Sequence, residues 1–398
     1  MKPYKVLRMT SSIGKGGAGR HVLDIHRALL SSPEFISHLW CPRETLTGDR
    51  IINRRLPVAF IACNWLRTKA LGFDSIYAPG WNPMMKRIIA DFDIIHLHHL
   101  QGYYFDIRSL NLLENKNVVL TLHDMWPLTG RCSLTHSCLK WQTLCHHCPQ
   151  LDVYPGTWVD WSRFLHRRKI ELFGALKSLK VVVLSRFAAD LLQASHFKDR
   201  EFVIIPPGIN CDDFKPRSRP PKPFITIGVI AAKPDFYLKG IESLLRLLST
   251  VEQKRQRQYR FRLIGHMTSK TQKILTQYSF VDLFPFIGNP RELNSHYNDF
   301  DVFLNLSHLE TFGKTNIEAQ CAGTPVLARN IPPFRENVYY GALYDSDDPE
   351  HLLQEIDRLA AHPWDRQLMH QTIRGKFDLT LLGERYVGLY RTFYEGND

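Results

Sequence analysis

The stretch 308-HLETFGKTNIEAQCAGTPV-326 reads as the turn of a β/α unit. Ahead of it, Asp301–Leu306 is a short apolar run of strand type. Behind it, Thr315–Ala322 reads as a helix stopped by Gly323, with Pro325 just beyond. Glu310 then falls in the loop at the carboxyl end of the strand, and Glu318 inside the helix. Were their separation of eight positions all helical, it would span about 12 Å. Carboxylates only accept hydrogen bonds, so each suits a pair of hydroxyls. Gly313 and its neighbours can aim backbone N–H groups at an anion where the helix begins. From spacing alone, an N-terminal glutamate favouring the helix dipole and a second one solvated on the helix face is an equally good reading.

The same alternation continues in both directions. Strand-like runs are 5-KVLRMT-10, 93-DIIHLHH-99, 117-NVVLTLH-123, 180-KVVVLS-185, 202-FVIIPP-207, 224-FITIGVI-230 and 260-RFRLIGH-266. Helical patterns cover 19–32, 162–179, 240–253 and 350–362. Continuous apolar strands separated by helices imply parallel sheets covered on both faces, an α/β architecture. The proline- and charge-rich segment 206-PPGINCDDFKPRSRPPKP-223 suits a connector, which places a boundary near residue 208. The expected domains are 1–207 and 208–398, both doubly wound and Rossmann-like and facing across a cleft, with the last helix packing back on the first domain. A length of 398 residues fits two cores.

Apolar residues make up 44% and charged residues 23%, the balance of a globular protein. Lysine and arginine total 51 against 39 acidic residues, a net +12, which favours an anionic partner. The start, MKPYKVLRMTSSIGKGG, has no secretory signal pattern, and 56-LPVAFIACNWL-66 is too short to span a bilayer. The chain therefore reads as cytoplasmic, and its eight cysteines as thiols or metal ligands rather than disulfides.

The segment 310-ETFGKTNIEAQCAGTPVLA-328 resembles the E-x7-E signature of the retaining glycosyltransferases of family 4, which have the two-Rossmann GT-B fold. The likeness extends to 14-GKGGAGRHV-22, 122-LHDMWPLTGRC-132, 204-IIPPGINCDDFKP-216 and 238-LKG-240. It implies that Glu318 binds the nucleotide ribose and that Glu310 stands near the donor sugar and the reacting carbon. Phe312 and Gly313 would line the sugar and diphosphate pocket. His123 would sit near the anomeric centre, with Asp124 orienting the donor, and Lys239 would neutralise the departing diphosphate. The family arginine expected after the strand glycine is absent from 228-GVIAAKPDFYLKG-240; Lys233 would replace it as a point charge, without arginine's fork. Gly16 and Gly17 belong to the glycine-rich loop that lets backbone approach a ligand. The implied reaction moves a sugar from a nucleoside diphosphate sugar to a glycan or lipid-diphosphate-linked acceptor, as in surface polysaccharide biosynthesis, with no cofactor required for catalysis.

Two features stand apart. Cys132, Cys138, Cys145 and Cys148 in 132-CSLTHSCLKWQTLCHHC-148 could ligate a structural zinc, but only the last pair has common zinc spacing; reduced packing thiols are an equal reading and a disulfide a third. The basic runs 54-RRLPVAFIACNWLRTK-69 and 163-RFLHRRK-169 could hold the protein peripherally against acidic lipid at the inner face of the cell membrane, or could be ordinary solvated faces. Rival functions are a basic zinc-containing nucleic-acid-binding protein, for which no helix-turn-helix or aromatic RNA platform is present, and a glycoside hydrolase using Glu310 and Glu318.

Overall fold

The computed structural model describes residues 2–13, 16–44, 48–52, 55–72, 81–232, 237–254 and 258–395. The chain divides into two compact units. One comprises residues up to Pro206 together with Leu382 onward; the other is Pro207–Leu381, with Gly16 and Gly17 grouped alongside it.

The first unit is built on a seven-stranded sheet of β1 (Tyr4–Met9), β2 (Phe35–Trp40), β3 (Ile51–Ile52), β4 (Ile94–Leu97), β5 (Asn117–Leu122), β6 (Ser178–Val183) and β7 (Phe202–Ile204). Its order is β3-β2-β1-β4-β5-β6-β7, and every pairing is parallel. The second unit carries β8 (Ile225–Ile230), β9 (Tyr259–Ile264), β10 (Val281–Phe284), β11 (Val302–Asn305), β12 (Val326–Arg329) and β13 (Gly341–Tyr344), in the order β10-β9-β8-β11-β12-β13, again all parallel. In each sheet the order reverses once, between β1 and β4 and between β8 and β11. Ligands of such sheets bind beyond the carboxyl ends of the strands at that reversal.

Burial explains the apolar runs. Every residue of β4 and of β11 is buried, as expected of central strands covered on both faces. Leu97, Leu120 and Val181 in the first core, and Leu247, Leu304 and Leu327 in the second, lose all solvent contact; each such side chain stabilises its unit by about 1.5–3 kcal/mol.

Several boundaries differ from the sequence reading, each for a local reason. The helix expected over 162–179 ends at Gly174, because Ser178 and Leu179 already pair with Asn117 and Val118 in the sheet. The strand expected over 202–207 ends at Ile204; Pro206 and Pro207 have no N–H to give a ladder. Strands β2, β3, β10, β12 and β13 are additional: their runs are short or, as in Phe-Ile-Ser-His-Leu-Trp, broken by polar residues. The helix of the opening stretch spans Lys314–Cys321, one residue earlier than expected.

Candidate active site

In the second unit, the loops after β8 and β11 meet at the sheet's reversal. The 3-10 turn Tyr237–Lys239 is stitched to the β11 loop by the His308 N–H, which donates to the Leu238 carbonyl at 2.8 Å. Gly240 makes that approach possible: its φ is +77°, and a Cβ there would lie 2.4 Å from the Leu306 carbonyl oxygen. Lys239 Nζ thereby donates to Glu310 Oε1, which also accepts from Ser307 Oγ at 3.4 Å. Both charged side chains keep about a quarter of their surface in solvent, 26% and 23%, so the pair is reachable by a ligand.

Glu310 lies outside the helix, so helical rise applies only from Lys314 onward and the 12 Å span does not describe the pair. The loop between them is held by buried amides. Asn305 Nδ2 donates to Asn316 Oδ1 at 2.7 Å, and Asn316 Nδ2 to Asn337 Oδ1 at 3.0 Å. Asn337 Nδ2 in turn donates to the Phe312 carbonyl, and Gln320 Nε2 to the Asn337 carbonyl at 2.7 Å. A satisfied buried network of this kind fixes one conformation, since any broken member leaves a costly unpaired group. Gly313 ends the loop with φ +90°, and a Cβ on it would come 2.3 Å from the Phe334 ring. The Phe312 ring is buried against Phe377, with centroids 5.8 Å apart, so of this residue the backbone rather than the ring is left to meet a ligand. Glu318 is buried in the helix and accepts from the Tyr297 hydroxyl at 3.0 Å.

The first unit, taken by itself, carries a histidine wall at the ends of β4 and β5. His123 Nε2 and His98 Nδ1 are 3.0 Å apart; the His123 ring also lies 4.7 Å from that of His99 and 5.5 Å from that of His21. Burial first, and the neighbouring imidazoles second, hold His98 and His123 well below the usual histidine range. Both are therefore neutral near pH 7, and their contact is an N–H to N hydrogen bond in which one donates. Asp124 is committed internally: Oδ1 accepts from the Trp126 N–H at 2.9 Å, Oδ2 accepts from Gln101 Nε2, and His99 stands 3.8 Å away. Burial raises its pKa against the pull of His99. Lys169, itself buried, ties down the following turn by donating to the Trp126 and Thr129 carbonyls at 2.7 and 3.0 Å.

Gly16 opens the Gly16–Ala28 helix with φ +76°, and Cβ atoms at Gly16 or Gly17 would meet nothing within 4 Å. Lys233 lies outside the described residues. Cys132, Cys138, Cys145 and Cys148 all line one cavity of about 20 Å³. Around it the chain folds on the buried Arg131 guanidinium, which donates to the carbonyls of Gln150 at 2.6 Å and of Leu151 and Val153 at 3.2 Å each. Sulfurs accept too: Cys145 from the Gly130 N–H at 3.3 Å, and Cys148 from Arg131 at 3.7 Å. Among the described residues, no three His, Cys, Asp or Glu side chains already converge as an ion-binding group.

His98, His99 and Gln101 were within reach of sequence reasoning, because His98 and His99 close the strand-like run 93–99 and Gln101 comes two positions later. A histidine ending a strand is more often core, however, and nothing in the sequence pairs it with His123. Tyr297 and the asparagines around Glu310 carry no local signal at all.

A family model described as Glycosyltransferase Family 4 matches residues 15–213, half of the chain, and one described as Glycosyl transferases group 1 matches residues 214–376. A relative from Escherichia coli strain K12, named for glycosyl transfer in colanic acid biosynthesis, is 26% identical over 260 residues, which cover 61% of this chain and 61% of the relative. Sucrose-phosphate synthase from Thermosynechococcus elongatus superposes with a TM-score of 0.70 at 18% identity, covering 98% of this chain and 99% of that one. HepE from Anabaena, solved with UDP and glucose, superposes at 0.62 with 15% identity, covering 98% and 100%. Two all-parallel Rossmann-like sheets and a family match over half the sequence lead to one statement: the chain belongs to glycosyltransferase family 4 and has the GT-B fold.

Proposed function

We propose that this protein is a retaining glycosyltransferase that moves a sugar from a nucleoside diphosphate sugar to a growing surface polysaccharide or a lipid-diphosphate-linked glycan. The observation that carries the reading is the meeting of Lys239 with Glu310 at the β8–β11 reversal, with Glu318 buried in the helix that follows. Glu318 accepts from the ribose hydroxyls. The amides at Gly313 and the start of the Lys314–Cys321 helix face the diphosphate. Lys239 exchanges its bond to Glu310 for the leaving phosphate as charge develops there, and Glu310, freed, faces the sugar. Stabilising that charge is the main electrostatic task, and one lysine with helix amides performs it without a divalent ion. The bond from the anomeric carbon to the diphosphate oxygen breaks, and the acceptor oxygen forms its bond on the same face. The acceptor's proton passes to the departing phosphate oxygen. Neutral His123 donates to or accepts from the sugar near that carbon, while Asp124 acts through the loop it holds.

The Escherichia coli relative's role in colanic acid biosynthesis supports a surface-polysaccharide acceptor, and the UDP found with HepE supports a nucleotide donor. Work at the cytoplasmic face of a membrane follows from a lipid-borne acceptor. For the cysteine-rich insert, structural zinc fits the ligand type and the size of the cavity, although the sulfurs must draw together to hold it.

A thermal-shift panel of UDP, GDP, ADP and their sugars tests the reading, because a ligand that binds only the folded chain raises its melting temperature. One nucleotide family should do so. Glu318→Ala should abolish that shift, and Glu318→Gln, which can still accept from Tyr297, should weaken it with the unliganded melting temperature preserved. Unchanged nucleotide affinity in both variants would remove the ribose assignment.

A further inference from the structure

The helix Val58–Leu71 is inside out. Asn64 and Thr68, one turn apart, are its buried residues, and Asn64 Nδ2 donates to the Tyr103 carbonyl at 2.9 Å. Phe60 and Ile61 touch the core, while Val58, Trp65, Leu66 and Leu71 stand in solvent, Leu66 56% exposed. A second apolar segment abuts the end of this helix. The Trp158 N–H donates to the Lys69 carbonyl at 2.9 Å, and a Cβ on Gly72 would lie 2.5 Å from the Val159 carbonyl oxygen. Trp158 is 75% exposed, and Trp161 and Phe164 beside it pack edge to face and keep part of their surface in water. Two short stretches thus bring exposed tryptophans and leucines to one place, more than scattered surface apolar residues account for.

Charge chooses the occupant. Arg163 is exposed on the second stretch, Arg55 and Arg167 are exposed just outside the two stretches, and Arg67 is half-buried on the helix. The acidic neighbour Asp160 is exposed as well, but its carboxylate accepts from the Cys148 and Ser162 N–H groups at 2.7 and 2.9 Å, and the exposed arginines outnumber it. Lys169 and His166, part of the basic run in sequence, are buried and drop out of this surface. Tryptophan and arginine around an apolar face are the chemistry of an anionic lipid interface, where the rings sit at headgroup depth and guanidinium groups meet phosphates.

We propose that the face formed by the 58–71 helix and the 158–164 segment docks onto an anionic lipid bilayer, seating Trp65, Leu66, Leu71 and Trp158 at the headgroup–acyl boundary. It specifies where the enzyme meets the membrane that a lipid-borne acceptor requires, and so rests on that part of the functional reading. Binding is measured without donor or acceptor, so its failure and a failure of glycosyl transfer are separate results.

The full chain should sediment with phosphatidylcholine vesicles that contain phosphatidylglycerol, far less with phosphatidylcholine alone, and less as salt is raised. Trp65→Ser with Leu66→Ser, and separately Trp158→Ser, should each weaken binding about tenfold or more, with melting temperature and nucleotide thermal shift unchanged because these side chains are exposed. A wild-type chain that stays in the supernatant, or variants that sediment as well as wild type, would overturn the proposal. So would variants that lose a dimer seen by light scattering while keeping their lipid binding, which would make the face a contact between copies.

Discussion

Lys239 and Glu310 neutralise each other before any ligand arrives, and each remains partly open to solvent. An exposed pair of this kind contributes little to stability, at most about 1 kcal/mol. Its value lies in placing an ammonium where negative charge will appear. Lys239→Met should therefore lower kcat by about 10²–10³-fold, the usual consequence of removing one preorganised donor to a developing anion. The melting temperature should stay within about 4 °C of wild type, since at most about 1 kcal/mol is lost. Steady-state kinetics with the donor identified in the nucleotide panel measure the first, and thermal melting the second. A variant that unfolds early, or one that raises KM alone, would give Lys239 a structural or ground-state role instead.

At the scale of elements, the helix following Glu310 was legible because everything that defines it is local: an apolar strand, a loop glycine, a small-residue run and a glycine–proline stop. The histidine wall was not, because β4 and β5 are neighbours only in the sheet, and no sequence spacing sets His98 beside His123. Tyr297 reaches Glu318 across a separation of 21 positions, from another helix. Nor did the sequence foretell Arg131 as the hub of the cysteine-rich insert; a buried arginine among carbonyls looks, in sequence, like any other charge. That hub gives the zinc proposal a sharp form. Arg131 already supplies much of the order in the insert, so removing a metal should loosen it without unfolding the sheet. Chelator-free protein should carry one zinc per chain by elemental analysis, and stripping it should expose the four thiols to a thiol reagent while the melting temperature falls only modestly. Metal-free protein with equally protected thiols would leave these cysteines as packing residues.

For the molecule as a whole, the buried histidines gather in the first unit. Burial, then Arg8, depresses His26 to about 4; burial, then Lys169, brings His166 to about 4; burial, then His166, brings His196 to about 3. His96, His98 and His123 are lowered as well. Above about pH 6.5 these groups are neutral whether the chain is folded or not. As pH falls from there toward 4, the unfolded chain takes up protons that the folded one refuses, so stability present at pH 7 is lost. A group such as His26 or His166 withdraws up to about 1.4 kcal/mol per pH unit across that window. In the second unit, among the described residues, His296 and His308 move in the same direction but His370 is raised through its contact with Cys321. Between pH 7 and pH 5 the first unit should therefore lose stability faster. Tryptophan fluorescence can follow it, since every tryptophan except Trp364 precedes residue 207. Coincident unfolding by fluorescence and far-ultraviolet dichroism at pH 5, with no loss from pH 7, would contradict this.

The helix Leu379–Arg391 adds an order of events. Its Tyr390 hydroxyl accepts from Arg8 at 2.8 Å and stands 2.7 Å from His96 Nδ1, which leaves His96 Nε2 to donate to Thr121 Oγ1 at 2.8 Å. A ribosome delivers the chain from its amino end, so the strands bearing Arg8 and His96 emerge long before the phenol that joins them. The entire 207–381 segment is translated during that wait, and it can close on its own sheet first. The first unit is thus completed after the second, and nascent chains carry its polar centre unfinished until the Leu379–Arg391 helix leaves the exit tunnel.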